Sequence, residues 1–258
     1  MLRLRKFPRV PFLLCILSLV SHPGCTVKEE RDLCPAQLVL ALPPLEGPAV
    51  LHVGAGEEYR LDSLAAGQRE YRTVVPRGRV SVLAWTPADL PFLPGRELRI
   101  PEGEEAPEIR LFSREYDIRG ELLQDSVRLH KNYCTLDLQV RSRDGTFPYS
   151  FTVSGGFCGY DARGQVLPGV FRCRARPDAS GSCRIRIPRQ GDDSLMLELS
   201  DGDGVVRSFA LGEYLRESGY DWTAEDLGDA GIAIDYARTS VTFFVDGWSV
   251  TLQFDMVI

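Results

Sequence analysis

Residues 108–119, with the sequence EIRLFSREYDIR, carry an apolar side chain at every second position for much of their length. This period places alternate side chains on one face of an extended strand, so the segment predicts a β-strand with one buried face. The same pattern recurs on both sides of this segment. We predict further strands at 34–42, 70–75, 79–85, 134–140, 149–154, 171–176, 182–187, 195–199, 205–210, 231–236, 241–245 and 249–258. The sequence therefore predicts a mainly β protein.

Turn-forming residues separate these segments. Pro76-Arg77-Gly78 predicts a hairpin between the segments 70–75 and 79–85. Short strands at regular spacing, separated by turns, are typical of β-sandwiches. Further turns are expected at 143–145, 161–164 and 201–204.

Two short segments of the second half have helical features. Leu211–Ser218 is amphipathic and is followed by Gly219, a residue that often ends helices. Thr223–Leu227 is the second candidate, because Thr223 stands three residues before Asp226, as in a capping box. We therefore expect one or two short helices in the second half of the chain.

The best candidate for a domain boundary lies near residues 121–126, where the strand pattern of 108–119 ends and a new one starts at Val127. The residues after Cys34 are enough for one large domain or two medium ones. We predict an N-terminal β-sandwich domain over residues 34–124 and a C-terminal β-sandwich domain over residues 125–258.

The first 24 residues have the layout of a secretory signal peptide. Residues 1–10 hold four basic side chains and no acidic one, residues 11–20 are apolar, and the small and turn-forming residues SHPG follow. The apolar run is too short to cross a bilayer, which takes about 20 apolar residues. A membrane anchor helix or a buried helix is the alternative, but polar sequence with Gly and Pro follows at once. We predict a signal peptide over residues 1–24.

Cys25 stands where bacterial lipoproteins carry an acylated cysteine, and Gly24 fits the position before it. His22 and Pro23 depart from the residues that usually precede that cysteine. The alternative is cleavage by an ordinary signal peptidase, which would leave Cys25 as a plain thiol. We predict lipid attachment at Cys25 and an acidic linker over residues 25–33. Its KEERD stretch resembles the surface-export signal of lipoproteins from gut and oral Gram-negative anaerobes, the alternative being a solvated linker.

Seven cysteines are present, and Cys15 would leave with the signal peptide. Five thiols then remain if Cys25 is acylated and six if it is not. Export to an oxidising compartment permits disulfides. The nearest candidate pair is Cys173 and Cys183, across the turn PDASG of a predicted hairpin. The cysteine spacing is not that of a zinc site, since there is no Cys-x-x-Cys pair and no His cluster, and we expect neither a metal nor a cofactor.

The charge balance argues against a nucleic-acid partner. The chain has 30 Lys and Arg against 36 Asp and Glu, and removal of the four basic residues of the signal leaves 26 against 36, a net charge of −10. A protein that binds phosphates should be basic instead.

Residues with the chemistry of an active site are sparse. The histidines are His22, His52 and His130, and no Gly-x-Ser-x-Gly sequence is present. Pairs of acidic residues carry little information in so acidic a chain. The stretch 201–204, DGDG, lacks the spaced ligands of a calcium loop and is better interpreted as a turn. We expect a protein without catalytic residues.

Tyr220, Asp221 and Trp222 lie together in the sequence SGYDWTAEDL. Sugars stack on aromatic rings, so these residues would suit a glycan-binding surface. The favoured interpretation is that the aromatic residues belong to the core and pack a short helix onto the sandwich.

Several segments of the second half together resemble one protein family. They are VRLHKNYCTLDLQV (127–140), FCGYDARGQVLPGVF (157–171), IPRQGDDSLMLEL (187–199) and FALGEYLRESGYDWTAEDLGDAGIAIDYA (209–237). Cys25, the acidic stretch after it and Cys34-Pro35 fit the same family. The chain resembles the minor-fimbrium anchoring subunits, which are the fimbrillin-associated outer-membrane lipoproteins of type V pili.

The resemblance implies two transthyretin-like β-sandwich domains in tandem. It also implies a surface-exposed lipoprotein of the outer membrane that anchors a fimbria and influences its assembly or length. Cys25 carries over as the lipid site, and no catalytic residue carries over. The implied partner is the fimbrial stalk subunit, a fimbrillin, joined by strand complementation, in which an extended segment of one subunit fills a gap in a sheet of the next.

Two alternatives accompany this interpretation. The run 249–258 is a candidate for the donated strand, although the last strand of the chain's own sandwich is the favoured interpretation of it. The alternative function is that of a surface glycan-binding lipoprotein, in which Trp85, Trp222 or Trp248 would form an exposed platform.

Overall fold

The computed structural model describes residues 34–141, 149–200, 204–235, 240–245 and 248–253. These residues form a mainly β structure with a single described helix. The strands are β1 Ala36–Ala41, β2 Ala49–Ala55, β3 Glu58–Leu64, β4 Glu70–Val75, β5 Gly78–Thr86, β6 Phe92–Leu93, β7 Glu97–Arg99, β8 Arg110–Ile118, β9 Leu122–Ser126, β10 His130–Lys131, β11 Tyr133–Arg141, β12 Ser150–Asp161, β13 Val166–Ala175, β14 Ser182–Pro188, β15 Met196–Ser200, β16 Val205–Phe209, β17 Ala230–Asp235, β18 Ser240–Val245 and β19 Trp248–Gln253, and the helix is α1 Leu211–Glu217.

A three-stranded and a five-stranded sheet form the first sandwich. The strand order is β4-β1-β9 in one sheet and β10-β8-β5-β2-β3 in the other, and β1 runs parallel to β9. The alternation in β4 explains the packing, because Tyr71, Thr73 and Val75 are buried while the residues between them are exposed. Leu38 and Leu40 of β1 are fully buried in the same core, and each contributes roughly 2 kcal/mol of burial free energy.

The second sandwich joins the sheet β14-β11-β17-β18-β19 to the sheet β16-β15-β12-β7-β6. Strand β13 pairs with most of β12, whose other partners are β15 along its first part and β7 along its last. Helix α1 lies against β15, where the Gly212 N–H donates to the Leu195 carbonyl at 2.8 Å. Leu211 and Leu215 of the helix are buried in the core of this sandwich. The mainly β prediction with sandwich architecture is thus confirmed.

The chain passes between the two sandwiches three times. It leaves the first after β5, adds β6 and β7 to the second, returns for β8 to β10, and then completes the second. The boundary predicted after residue 124 falls inside β9, whose register pairs Leu122–Ser126 with β1. The alternating pattern predicts neither β7 nor β9, and such a pattern does not show which sheet a strand joins.

The hairpin predicted at Pro76-Arg77-Gly78 is wrong. Strand β4 pairs with β1, whereas β5 pairs with β2 and β8, so residues 76–78 lead the chain from one sheet to the other. The Pro-Arg-Gly signal predicts a turn. A turn can connect neighbouring strands of one sheet, as in a hairpin, or strands of two different sheets. The alternation did not predict β2, which lies beside β5, or β3, which lies beside β2 at the edge of this sheet.

The helix predicted at 211–218 is confirmed as α1, but the second candidate at 223–227 does not form a helix. The carboxylate of Asp221 accepts hydrogen bonds from the Thr223 N–H at 2.8 Å and from its hydroxyl at 2.6 Å. Asp226 accepts from the Lys131 N–H at 2.7 Å instead of turning back to Thr223. Within the described ranges, no helix has the length and apolar character needed to cross a bilayer.

Candidate functional site

The predicted lipid site, Cys25, lies outside the described residues, as does the linker up to residue 33. Lipid attachment therefore stays a prediction. The first described strand, β1, begins at Ala36 and has hydrogen-bonded neighbours on both sides. An extended chain of about 11 residues between Cys25 and Ala36 spans at most about 40 Å. A lipid on Cys25 would thus hold the central strand of this sheet within that distance of a membrane.

His52 is buried in an aromatic cluster and not in a catalytic one. Its ring lies 5.4 Å from the ring of Tyr59 and 5.1 Å from that of Phe92. Neither ring nitrogen has a hydrogen-bond partner. Burial, and then the positive charge of Arg96, lower the pKa of His52 from 6.5 to about 4. His52 is therefore a neutral packing residue at physiological pH.

His130 lies at the surface, where its Nδ1 is 3.2 Å from Oδ2 of Asp226. The other carboxylate oxygen of Asp226 accepts the Lys131 N–H, and these contacts hold the pKa of Asp226 below its usual value. The pair therefore attaches the loop after Trp222 to strand β10. A His–carboxylate pair is one part of many catalytic sites, but here the carboxylate of Asp226 also accepts a backbone N–H of β10, and the geometry supports a structural role.

The described tryptophan side chains, those of Trp85 and Trp222, do not form the exposed platform that the glycan alternative requires. Trp85 is 1% exposed and stacks on Phe92 at 5.4 Å. Trp222 packs against the core of the second sandwich and contacts the ring of Tyr220 edge-on at 4.7 Å. This is the packing that the favoured interpretation predicts. The side chain of Trp248 lies outside the described part of the structure.

A half-buried arginine that no sequence pattern predicts, Arg189, organises the loop at Trp222. The guanidinium of Arg189 donates to Oδ1 of Asn132 at 2.9 Å and to the carbonyls of Trp222, Ala224 and Glu225, the last two at 2.8 and 3.2 Å. Burial lowers the pKa of Arg189. The run IPRQG gives no hint of this role, because the acceptors are backbone carbonyls of a distant loop.

Cys173 and Cys183 lie on strands of opposite sheets, so the hairpin predicted between them is wrong. Cys173 on β13 pairs with Val153, and Cys183 on β14 pairs with Leu138. Both are free thiols in the structure. Burial, then the charge of Glu105, and then Cys173 raise the pKa of Cys183 to about 12. A disulfide between them stays a prediction, and it would join the two sheets of the second sandwich.

Among the described residues, no cluster of His, Cys, Asp and Glu has the arrangement of a metal site. Residues 201–203 of the DGDG stretch lie outside them, so this sequence stays a predicted turn.

The large apolar side chains that remain exposed lie mostly on edge strands. Of the seven in the described ranges, six are at sheet edges, and they are Tyr59 and Leu61 on β3, Val74 on β4, Leu122 on β9, Val170 on β13 and Val205 on β16. An edge strand with exposed apolar side chains is a surface to which another extended chain can pair. These edges are therefore the candidate contact surfaces for a partner protein.

The seventh exposed apolar residue, Phe244, borders a shallow trough of about 600 Å³ on the outer face of the second sandwich. Gly231 and Ala233 form its floor. The ion pair of Asp137 and Arg184, with an N–O distance of 2.7 Å, lies at the other side. An exposed ring beside planar polar groups offers both stacking and hydrogen bonds to a bound molecule.

The run predicted at 249–258 forms β19 over Trp248–Gln253, and residues 254–258 lie outside the described part. Strand β19 pairs with β18 of its own sheet, from Val245 opposite Trp248 to Ser240 opposite Gln253. This pairing agrees with the favoured interpretation of the run as the last strand of its own sandwich.

No family model and no curated protein sequence matches the chain. Solved structures share its fold. A candidate polysaccharide-binding protein from Bacteroides thetaiotaomicron is 13% identical, with 84% of this chain and 98% of that chain covered and a TM-score of 0.63. A candidate adhesin from Bacteroides ovatus is 14% identical, with 88% of this chain and 97% of that chain covered and a TM-score of 0.58.

The fimbrial anchor protein Mfa2 from Porphyromonas gingivalis is 11% identical, with 84% of this chain and 99% of that chain covered and a TM-score of 0.56. Identities this low show a shared fold and no more. The family that the sequence resembles is thus represented among proteins of the same fold. The chain has the fold of proteins that include a fimbrial anchor and a candidate adhesin.

Proposed function

We propose that this chain is an exported, non-catalytic lipoprotein that is attached to the outer membrane through Cys25 and anchors a fimbria at the cell surface. The observation that carries the proposal is the placement of exposed apolar side chains on edge strands of a fold shared with a fimbrial anchor protein. The N-terminal signal layout and Cys25 support export and lipid attachment. The burial of His52 and the contact of His130 with a loop carboxylate support binding rather than catalysis at these residues.

Such an anchor would carry load from a fimbrial subunit to the membrane. A fimbrillin would contribute an extended segment to one of the exposed edges, where main-chain hydrogen bonds give affinity and the apolar side chains give register. The lipid on Cys25 would transmit the load to β1. Because β1 is hydrogen-bonded to β4 and β9 along most of its length, a pull on its N-terminus acts along the strand and loads both ladders together.

Mass spectrometry of the mature N-terminus and affinity purification from an envelope fraction test the proposal together. The wild-type chain should begin at an acylated Cys25 and should co-purify a fimbrillin. A Cys25→Ser variant should lose the lipid and appear in the soluble fraction, and the matched Cys34→Ser variant should retain both lipid and partner. An unmodified Cys25, or the absence of a fimbrillin in piliated cells, would contradict the proposal.

A surface glycan-binding lipoprotein is the second candidate, and the trough beside Phe244 is the observation that favours it. The candidate polysaccharide-binding protein from Bacteroides thetaiotaomicron shares this fold. A glycan array discriminates between the two functions. Micromolar binding that Phe244→Ala abolishes would support this candidate, and loss with Trp222→Ala would indicate the aromatic pair at Tyr220 instead. No binding to the array would leave the fimbrial anchor as the better account.

A further inference from the structure

Residues 97–109 belong to the first half of the sequence but bond to both sheets of the second sandwich. They begin as β7, where Leu98 pairs with Tyr160 and Arg99 with Gly159 of β12. They then pass between β13 of one sheet and β14 of the other and continue into β8. Strands β13 and β14 are edge strands of opposite sheets. An edge strand has unpaired backbone groups, so a sandwich can accept an additional extended segment there.

Backbone hydrogen bonds tie this segment to both sheets. The Ile100 N–H donates to the Cys158 carbonyl at 2.8 Å, and the Gly103 N–H donates to the Arg172 carbonyl of β13 at 2.8 Å. Three residues later, the Ala106 N–H donates to the Arg186 carbonyl of β14 at 3.0 Å. The segment therefore satisfies backbone groups on both edges within a few residues.

Side chains reinforce these bonds on the β14 side. The guanidinium of Arg186 donates to the Ala106 carbonyl at 3.1 Å and to the carboxylate of Glu108 at 3.2 Å. The carboxylate of Glu105 lies 3.6 Å from the same guanidinium. One arginine of β14 thus contacts three residues of the segment.

The segment also contributes apolar side chains to the core of the second sandwich. Leu98, Ile100, Ala106 and Ile109 are each at most 3% exposed and belong to the same buried cluster as the strands β11 to β15. Full burial of such side chains contributes roughly 2 kcal/mol for each of the larger ones. Removal of the segment would therefore leave an open slot lined by apolar residues.

A glycine on β12 makes room for the segment. A Cβ atom at Gly159 would lie 2.0 Å from the Leu98 carbonyl oxygen and 3.0 Å from the Arg99 Cα. Both are backbone atoms, which cannot rotate away as a side chain can. The sequence of β12 is therefore fitted to a close backbone neighbour at this position.

We infer that residues 97–109 are a complementing segment supplied by the chain itself, so that the second sandwich does not accept an extended segment from another protein between β13 and β14. A fimbrial subunit, if it binds as proposed above, must then use a different edge. Only this last consequence rests on the proposed function. The test needs the purified chain alone, so its outcome does not depend on whether a fimbrillin is the partner.

Hydrogen exchange of the wild-type protein is the first test. If the segment completes the sandwich, the amides of Ile100, Gly103 and Ala106 should exchange within about tenfold of the rate of the β12 amides. If these three amides exchange as fast as those of exposed turns, the segment is only a surface connection and the inference fails. This measurement needs no variant and therefore no assumption about folding.

The Gly159→Ala variant is the second test, with Gly231→Ala as the matched control. A Cβ at Gly231 would meet its nearest atom, Cβ of Phe244, at 3.4 Å, an ordinary contact. We expect Gly159→Ala to raise exchange at the three amides by about 100-fold or more. We also expect it to bind a fluorescein-labelled peptide of residues 100–109, which lacks the Leu98 carbonyl that the new Cβ would meet. The wild type and Gly231→Ala should show neither the faster exchange nor the binding of this peptide. Peptide binding by the wild type, or full protection in Gly159→Ala, would overturn the inference.

Discussion

His52 shows how a single residue makes the stability of this fold depend on pH. The imidazole is fully buried, its nitrogens have no partner, and Arg96 lies near it, where the guanidinium stacks over Tyr59 at 4.9 Å from the ring centroid. All of these features disfavour the protonated form. The side chain lies opposite Leu83 and Leu61 on the neighbouring strands.

We expect acid to destabilise the wild-type protein through His52. The pKa of His52 is about 4 in the folded chain against 6.5 unfolded, so the unfolded state binds more protons between these values. The stabilisation from the neutral ring is complete above pH 6.5 and decreases as the pH falls. The loss should be about 2 kcal/mol between pH 7 and pH 5. Urea unfolding at both pH values measures it.

His52→Leu removes the titrating group and is the control for that measurement. Its free energy of unfolding should change much less between pH 7 and pH 5 than that of the wild type. An equal change in both proteins would assign the acid sensitivity to other groups.

Arg189 is the second residue whose role depends on its surroundings. Arg189→Met keeps much of the side-chain length but leaves the carbonyls of Trp222, Ala224 and Glu225 without their donor. We expect a loss of about 2–4 kcal/mol in the free energy of unfolding. Tryptophan fluorescence during urea unfolding measures it. Arg163→Met, which alters an exposed arginine in a turn, is the control, and equal unfolding midpoints for the two variants would contradict the assigned role.

At the scale of elements, similar polar clusters close the two sides of the first sandwich. On one side, Asp62 of β3 accepts hydrogen bonds from Tyr71 of β4 and from Arg60, which also donates to Thr73 at 2.7 Å. Each bond between β3 and β4 joins the two sheets. These contacts hold the pKa of Asp62 below its usual value despite burial. Burial, and then the hydrogen bond to Asp62, raise the pKa of Tyr71 to about 12.

On the other side, Asp125 of β9 accepts from Tyr116 of β8 at 2.8 Å and from Arg114 at 2.5 Å. An aspartate, a tyrosine and an arginine thus link the sheets at both sides. The period-2 pattern placed Tyr71 and Tyr116 on inward faces, but it could not show that each would meet an aspartate from the opposite sheet.

We expect Asp62→Asn and Asp125→Asn each to lower the free energy of unfolding by about 1–2 kcal/mol, because each removes a charge-assisted bond between sheets. The two losses should add in the double variant, since the clusters share no residue. Denaturant unfolding measures all three proteins. Asp117→Asn, at a side chain that is 61% exposed, should have no measurable effect. A loss in Asp117→Asn as large as the others would contradict the role of the clusters.

At the scale of the whole molecule, the three passages of the chain make the sandwiches depend on each other. The first sandwich needs β8 to β10, which follow β6 and β7 in the chain. The second sandwich needs β6 and β7, which lie in the chain between β5 and β8 of the first sandwich. The two cores also meet at β5, where Leu83 and Trp85 belong to the second core while Val82 and Ala84 belong to the first. Both faces of β5 are therefore buried.

We expect residues 35–258 to unfold in one cooperative transition and residues 34–124 not to fold when expressed alone. That fragment ends within β9 and would expose Leu98, Ile100 and Ile109, which the second sandwich buries. Calorimetry of the mature chain and solubility of the fragment test this expectation. Two separate transitions together with a soluble, folded fragment would show instead that the division at residue 124 separates independent domains.

The sequence by itself determined the elements whose signals are local. Alternation predicted β4, β8, β11 and β14 nearly to their ends, and an amphipathic turn followed by Gly219 predicted α1. These patterns record which face of an element is buried, and burial follows from side chains a few positions apart.

Only the tertiary structure decided which strands are neighbours. It placed Cys173 and Cys183 in opposite sheets, made residues 76–78 a connection between sheets, and sent residues 97–109 into the second sandwich. Backbone hydrogen bonds are the same for every sequence, so a period of two cannot distinguish one partner strand from another. The choice came from long-range fits, such as the space that Gly159 leaves for β7, which exist only when both strands are in place.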